Sequence, residues 1–184
     1  MKNKNPETIA LFGGSFDPPH IGHERIVQEV LKLKFIEKVI IMPTFLNPFK
    51  SKFYAPSSLK LKWLKKIFAP YENVEIDSFE IDLQRAVSSF ESVKYLLKKY
   101  KKIYLIIGAD NLASLSKWHK YNELETLVTF IVASRDQIKI PSNFIQIKVE
   151  ENISSTQLRE HIGKNKLSTI CSTEITQFYK EKNE

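Results

Sequence analysis

The sequence predicts an α/β fold: a doubly wound parallel sheet with helices on both faces and a small C-terminal helical part, built as one domain of residues 1–184. Three observations lead there. Short apolar runs rich in strand formers alternate along the chain with segments of helical periodicity. Two of these runs end in glycine, at Gly13-Gly14 and at Gly108, where the chain turns away toward a helix. The 184 residues, 42% of them hydrophobic, are enough for one full core, and no repeat, low-complexity tract or flexible linker divides them.

Each element follows from its pattern. Thr8–Phe12 reads as a buried strand. Ile21 to about Lys34 reads as a helix whose Ile26, Val27, Val30, Leu31 and Leu33 form an apolar face. Lys38–Met42 is a second strand, closed by Pro43, and Thr44–Pro56 is a polar, proline-interrupted loop long enough to be functional. Ser57 or Ser58 caps a helix running to about Phe68 and stopped before Pro70. Asn73–Ile76 reads as a strand, and Ser88–Tyr100 as a helix with Lys98 and Lys99 favourably placed for its dipole. Ile103–Ile107 is the clearest strand. Short helices are expected over Asn111–Leu115 and Asn122–Leu127, and strands over Val128–Ala133 and Phe144–Val149. Ser155–Gly163 and Thr173–Lys182 close the chain as helices. Such alternation gives a parallel sheet, whose ligands sit beyond the carboxyl ends of strands where the strand order reverses.

Composition excludes several classes. No apolar run approaches the roughly 20 residues that span a bilayer. The opening Met-Lys-Asn-Lys-Asn-Pro lacks the apolar core of a secretion signal. A lone cysteine, Cys171, excludes an internal disulfide and a multi-cysteine metal site, so a cytoplasmic protein without a membrane partner is expected. The net charge of +7 suits a polyanionic partner, either nucleic acid or a phosphate-rich small molecule. The lysines are spread out, and no zinc finger, helix-turn-helix or RNA-recognition pattern accompanies them, so no nucleic-acid partner is expected. A basic nucleic-acid-binding domain remains the rival class, and a salt-sensitive gel shift without nucleotide turnover would reveal it. The oligomeric state is left open, a homo-oligomer included.

The segment Gly13-Gly14-Ser15-Phe16-Asp-Pro-Pro-His20-Ile-Gly-His23 carries most of the chemistry. A strand ending in a glycine turn before a helix N-terminus is an anion site, because free helical N–H groups point at the ligand. Two imidazoles on one helix face add donors there. The segment is no Walker loop, since no Gly-Lys-Ser/Thr follows, and it lacks the three-glycine dinucleotide spacing. A metal site would need a third ligand that the spacing does not supply, so no metal-binding residues are assigned.

Near the other end, Ser154-Ser155-Thr156-Gln-Leu-Arg159 offers a serine-capped helix start with hydroxyls, and an arginine one turn on that can reach the same anion. Between them, Gly108-Ala-Asp110 places a carboxylate at a strand end, where it can accept from ribose hydroxyls or cap a helix. Trp118 suits stacking on a planar ring or packing in the core.

The first segment resembles the signature of the nucleotidylyltransferase superfamily, His-x-Gly-His, and its fuller form is similar to that of the bacterial nicotinate-nucleotide adenylyltransferases. Ser-Ser-Thr-x-x-Arg resembles the superfamily's second signature. Gly108-Ala-Asp110 through Trp118 resembles the segment that separates this family from phosphopantetheine adenylyltransferase. The resemblance spans nearly the whole chain and implies a Rossmann-like sheet. It also implies transfer of the adenylyl group of ATP, as its Mg²⁺ complex, to nicotinate mononucleotide in NAD biosynthesis. Nicotinamide mononucleotide and phosphopantetheine are the alternative acceptors.

On this resemblance His20, His23 and Arg159 are catalytic. Gly13, Gly14, Ser15, Phe16, Gly108, Asp110, Ser154, Ser155 and Thr156 bind ATP. Lys50 of Asn47-Pro-Phe-Lys50, Ser89, Trp118, His119 and Arg135 bind nicotinate mononucleotide. The chain departs from the family where Ser89-Phe90-Glu91 replaces Ser-Tyr-Thr: Glu91 beside a substrate carboxylate would repel it, so it either points away or belongs to a rearranged pocket. Lys60 and Trp63 stand where Arg and Met are usual.

Overall fold

The computed structural model describes residues 7–46, 53–134, 139–150, 153–160 and 166–183. Among the described residues six strands form one sheet: β1 (Thr8–Gly14), β2 (Lys38–Pro43), β3 (Val74–Ile76), β4 (Lys102–Gly108), β5 (Val128–Ser134) and β6 (Ile145–Lys148). Their order is β3-β2-β1-β4-β5-β6, and every pairing is parallel. The chain therefore winds outward through β2 and β3, then crosses to β4 beside β1 and winds the other way. The strand order reverses between β1 and β4, where Phe12 pairs with Ile106 and the carboxyl ends of both strands stand side by side. The α/β, doubly wound, Rossmann-like reading holds.

Alternate strand residues face opposite layers. Ala10, Phe12, Val39 and Ile41 pack with Ile26, Val27 and Val30 of α1 (Ile21–Leu31) and with Trp63, Leu64 and Ile67 of α2 (Ser57–Phe68). Ile9, Leu11, Ile40 and Met42 pack on the other face with Val93 and Leu96 of α4 (Ser89–Leu96) and Leu124 of α5 (Tyr121–Leu127). A one-residue slip of any inner strand would exchange the two faces, which fixes the register. The C-terminal part is a structural member of the first layer: Ile175 and Tyr179 of α7 (Ser172–Asn183) are buried in its core. Among the described residues no helix is long and apolar enough to cross a membrane.

Element boundaries differ from expectation for local reasons. The first helix ends at Leu31 rather than Lys34, because Lys32 and Leu33 already bond to Glu29 and Val30, a tightened final turn. α4 likewise stops at Leu96, with Lys98 N–H donating to the Tyr95 carbonyl and Lys99 N–H to that of Leu96. The cap of α2 is Pro56, whose carbonyl accepts from Leu59 and Lys60, rather than a serine. Ala109–Lys117 is a 3₁₀ helix where a short α-helix over Asn111–Leu115 was expected. A single helical turn, α3 (Phe79–Asp82), fills a stretch that showed no pattern. The sixth helix, α6 (Ser155–Glu160), is followed from residue 161 by positions outside the described residues.

Candidate active site

The loop after β1 is shaped by an unusual backbone. Phe16 adopts φ 46°, a left-handed conformation uncommon for a bulky residue, and its ring folds back over Gly14. A Cβ on Gly14 would lie 3.1 Å from that ring, so glycine here makes room for Phe16. Phe16 is buried and meets Phe12 and His23 edge-on, at 5.4 and 4.8 Å between ring centres. This packing holds the turn in place beneath the cavity.

His20 caps α1 in extended conformation, and His23 sits three residues on. The Nδ1 of His23 accepts the His20 N–H at 3.1 Å, as a glutamate does in an ordinary capping box. The two imidazoles stack with centres 3.7 Å apart, 25° from parallel. Both rings line the cavity, so the helix start and the donor pair are one construction.

The two outer signatures meet here. Ser155 Oγ donates to the Pro18 carbonyl at 2.9 Å, and Arg159 donates to the carbonyl of Asp17. Ser154, not Ser155, is the cap of α6: its Oγ accepts from Gln157 N–H at 3.2 Å, while Gln157 Oε1 accepts the Ser154 N–H at 3.1 Å. That leaves the Ser155 hydroxyl for the cross-link. Arg159 also donates to Thr156 Oγ1 at 3.0 Å and lies 4.4 Å above the Tyr54 ring. It braces the β1–α1 loop and does not line the cavity, although Ser154, Ser155 and Thr156 do.

Asp17 is the hub beneath both signatures. The residue is 4% exposed, and its carboxylate accepts the N–H groups of Tyr54 and Ala55 at 2.8 and 3.0 Å and the hydroxyl of Tyr179. Burial, then the Asp17 charge, pushes the Tyr179 hydroxyl well above its ordinary range, so it stays protonated as a donor.

At the end of β4, Gly108 precedes the 3₁₀ helix. A Cβ there would come 2.3 Å from Asp110 Oδ1, so only glycine lets that carboxylate lie back over the strand end. Asp110 is not the helix cap; Gly108 holds that position, and Asp110 is exposed to the cavity. Trp118 is half-buried against the second core layer and also lines the cavity, so the packing and site readings both hold. Its Nε1 is buried without a partner in the protein.

The departure at Ser89-Phe90-Glu91 resolves simply. Ser88 caps α4 in a full capping box with Glu91, which also pairs with Arg85 at 2.7 Å. That contact first, then the Ser88 N–H, pulls the Glu91 carboxyl down to about 2. Glu91 faces Arg85 and is not among the cavity-lining residues. Phe90 meets His119 edge-on at 6.4 Å and lies under Lys120 Nζ at 4.8 Å, tying α4 to the segment after Trp118. Lys60 is buried and donates to the Thr44 carbonyl at 2.9 Å, while Trp63 packs between Phe178 and Tyr179.

A cavity of about 550 Å³ opens at the reversal point. It is lined by Gly13, Gly14, Ser15, Phe16, His20, His23, Gly108, Asp110, Ser89, Trp118, His119 and the Ser154–Thr156 run. Lys50 and Arg135 lie outside the described residues. Sequence reasoning missed Thr44, Glu80 and Ser88 among the lining residues, and it gave Asp17 no role. Among the described residues no three His, Cys, Asp or Glu side chains cluster as metal ligands.

Residues 11–161 match the model of the cytidylyltransferase-like family. A probable nicotinate-nucleotide adenylyltransferase of Sulfurimonas denitrificans is 60% identical over 96% of this chain and 97% of its own. One from Nitratiruptor is 51% identical over 94% of this chain and 98% of its own. Among solved structures, the nicotinic acid mononucleotide adenylyltransferase of Plasmodium falciparum, complexed with NaAD, superposes with a TM-score of 0.75. It covers 96% of each chain at 18% identity, a likeness of fold.

Proposed function

The chain belongs to the cytidylyltransferase-like family and, within it, groups with the nicotinate-nucleotide adenylyltransferases; on that premise we propose that it joins ATP and nicotinate mononucleotide into nicotinate adenine dinucleotide, releasing pyrophosphate, as a step toward NAD. The observation that carries this reading is the welding of the two outer signatures by Ser155–Pro18 and Arg159–Asp17, which brings the Ser154–Thr156 run and the histidine pair to one cavity.

The mononucleotide phosphate attacks the α-phosphorus of ATP. With a second pKa of about 6 it is mostly ionised at neutral pH and needs no general base. What the reaction needs is positioning of two polyanions and donors for the charge that builds on non-bridging and leaving oxygens. His20 and His23 serve the oxygens around the reacting phosphorus, together with the N–H groups of Gly14, Ser15 and Phe16. Ser154, Ser155 and Thr156 hold the β- and γ-phosphates, with Arg159 orienting that turn. Asp110 takes the ATP ribose beside Gly108. Trp118 stacks on the nicotinate ring near Ser89 and the His119 backbone, and Lys50 and Arg135 complete the mononucleotide contacts.

Mg²⁺ would enter as part of the ATP substrate and would supply further neutralisation of its phosphates. The donor set fits this, since the cavity offers imidazoles, hydroxyls and backbone N–H groups rather than a carboxylate cage. We assign the whole activity to one domain of residues 1–184 and to the cytoplasm, where a single buried thiol such as Cys171 stays reduced.

Incubation with ATP, Mg²⁺ and either nicotinate or nicotinamide mononucleotide, followed by pyrophosphate release, tests the reading. Strong preference for the acid is expected. Turnover of the amide alone reassigns the ring pocket, and turnover of neither overturns the substrate class, with phosphopantetheine the next acceptor to try.

A further inference from the structure

One carboxyl group in the cavity wall is left unused by this mechanism. Glu80, on the single turn α3, is 5% exposed and lines the cavity beside Thr44, Val87, Ser88 and Ser89. Its Oε1 accepts from Ser92 Oγ at 2.6 Å, whereas Oε2 is buried with no partner in the protein. A buried carboxyl oxygen in that state is costly unless a ligand meets it.

The charges around Glu80 decide which form it takes. Lys60, from α2, directs its Nζ to the Thr44 carbonyl and reaches Glu80 only through space. Asp77, at the end of β3, and Glu91, on α4, add like charge, each already facing its own cation, Lys99 at 3.9 Å and Arg85 at 2.7 Å. His20, His23, His119 and Asp110 share the cavity. Burial above all holds the Glu80 carboxyl up to about 7, with Glu91 and Asp77 adding to it against Ser92 and Lys60. Because Ser92 already donates to Oε1, the proton of the neutral acid belongs on Oε2, the atom without a partner.

We propose that Glu80 is a specificity residue for the ring substituent of the mononucleotide: its protonated Oε2 donates to a ring carboxylate, and its ionised form accepts from a carboxamide N–H in the same place. The proposal rests on the adenylyltransferase reading above. A carboxylate beside an ionised Glu80 would be repelled at short range in a dry wall, whereas beside the neutral acid it gains a charge-assisted hydrogen bond. The amide has the opposite preference. Acid-over-amide choice then depends on one proton.

The experiment is kcat/KM for nicotinate and for nicotinamide mononucleotide across the neutral pH range, read as their ratio. Whatever acts on both substrates equally, their shared phosphate included, cancels in this ratio. In the unmodified protein the acid-to-amide ratio should fall by up to about tenfold per pH unit, since kcat/KM follows the free protein's protonation. Where amide turnover is too slow, its inhibition constant against the acid replaces its kcat/KM. The Glu80→Gln variant, which keeps an N–H donor and cannot titrate, should show a flat ratio. A ratio that ignores pH in the unmodified protein, or one that keeps the same slope in Glu80→Gln, overturns the role of Glu80 while leaving the reaction in place. Turnover of neither mononucleotide overturns the reaction itself, and this proposal with it.

Discussion

His23 accepts the His20 N–H through Nδ1, and that contact assigns its tautomer: the proton of the neutral ring sits on Nε2, the edge left for the cavity. The His20 ring stacks on it and belongs to the same capping box, and the two imidazoles are tested by separate mutations. His20→Ala should lower kcat by about two orders of magnitude or more while ATP affinity barely moves, the pattern of a group that acts on the transition state. His23→Ala should lose turnover and, in addition, about 1 kcal/mol of stability, because the start of α1 loses its capping partner. Initial-rate kinetics with a nucleotide-binding titration, and urea melts of both variants, check the pair. An equal loss of ATP binding and no loss of turnover in His20→Ala would reject its catalytic role. The residue types at this site were open to sequence reasoning because both signatures are local. The strained Phe16 was not, since nothing in its neighbours announces a positive φ.

The helix α4 shows how an element can neutralise a side chain that looked harmful. Glu91 stands where a hydroxyl residue is usual in the family, yet the capping geometry turns it away from the cavity, toward Ser88 and Arg85. Its folded carboxyl is lowered to about 2 from 4.5, so it stabilises the fold above the unfolded value and loses that contribution as pH falls from there toward 2. The group is about a third exposed, and solvent screening keeps the effect below about 1 kcal/mol. Thermal melts should therefore show a shallower acid decline in Glu91→Gln than in the unmodified protein, with KM for nicotinate mononucleotide unchanged. A large KM change would place Glu91 in the pocket after all. At this scale the strands were legible because those buried on both faces are continuous apolar runs. The turn α3 was not. It is held by Asp77 Oδ1 accepting the Phe79 N–H at 2.9 Å and by Ser78 donating to Asp82 at 2.8 Å, with too few residues to show a period. Glu80 was hidden with it.

Across the whole molecule the site depends on contacts that no local pattern reveals. Asp17 and Tyr179 are separated by 162 positions, yet the last helix reaches the loop after the first strand through their hydrogen bond. The same carboxylate gathers the N–H groups of Tyr54 and Ala55, and the same stretch of backbone receives Ser155 and Arg159. The loop bearing the histidines is thus clamped from three distant parts of the chain, which is why the signatures were readable while their joint was not. Removing the clamp in two degrees separates its structural share from its effect on chemistry. Tyr179→Phe deletes one donor and leaves Asp17 two N–H partners, so it should cost about 1 kcal/mol and spare most turnover. Asp17→Ala removes the acceptor shared by three donors, two of them buried, and should cost about 3 kcal/mol or more. Below its melting temperature, Asp17→Ala should also lose kcat for acid and amide mononucleotides in equal proportion, since the misplaced loop serves the reacting phosphorus and not the ring. Urea midpoints with kcat for both substrates measure the two effects together. If Asp17→Ala were destabilised yet fully active, the histidine pair would hold its position without the clamp, and the coupling between the C-terminal helix and the site would be rejected.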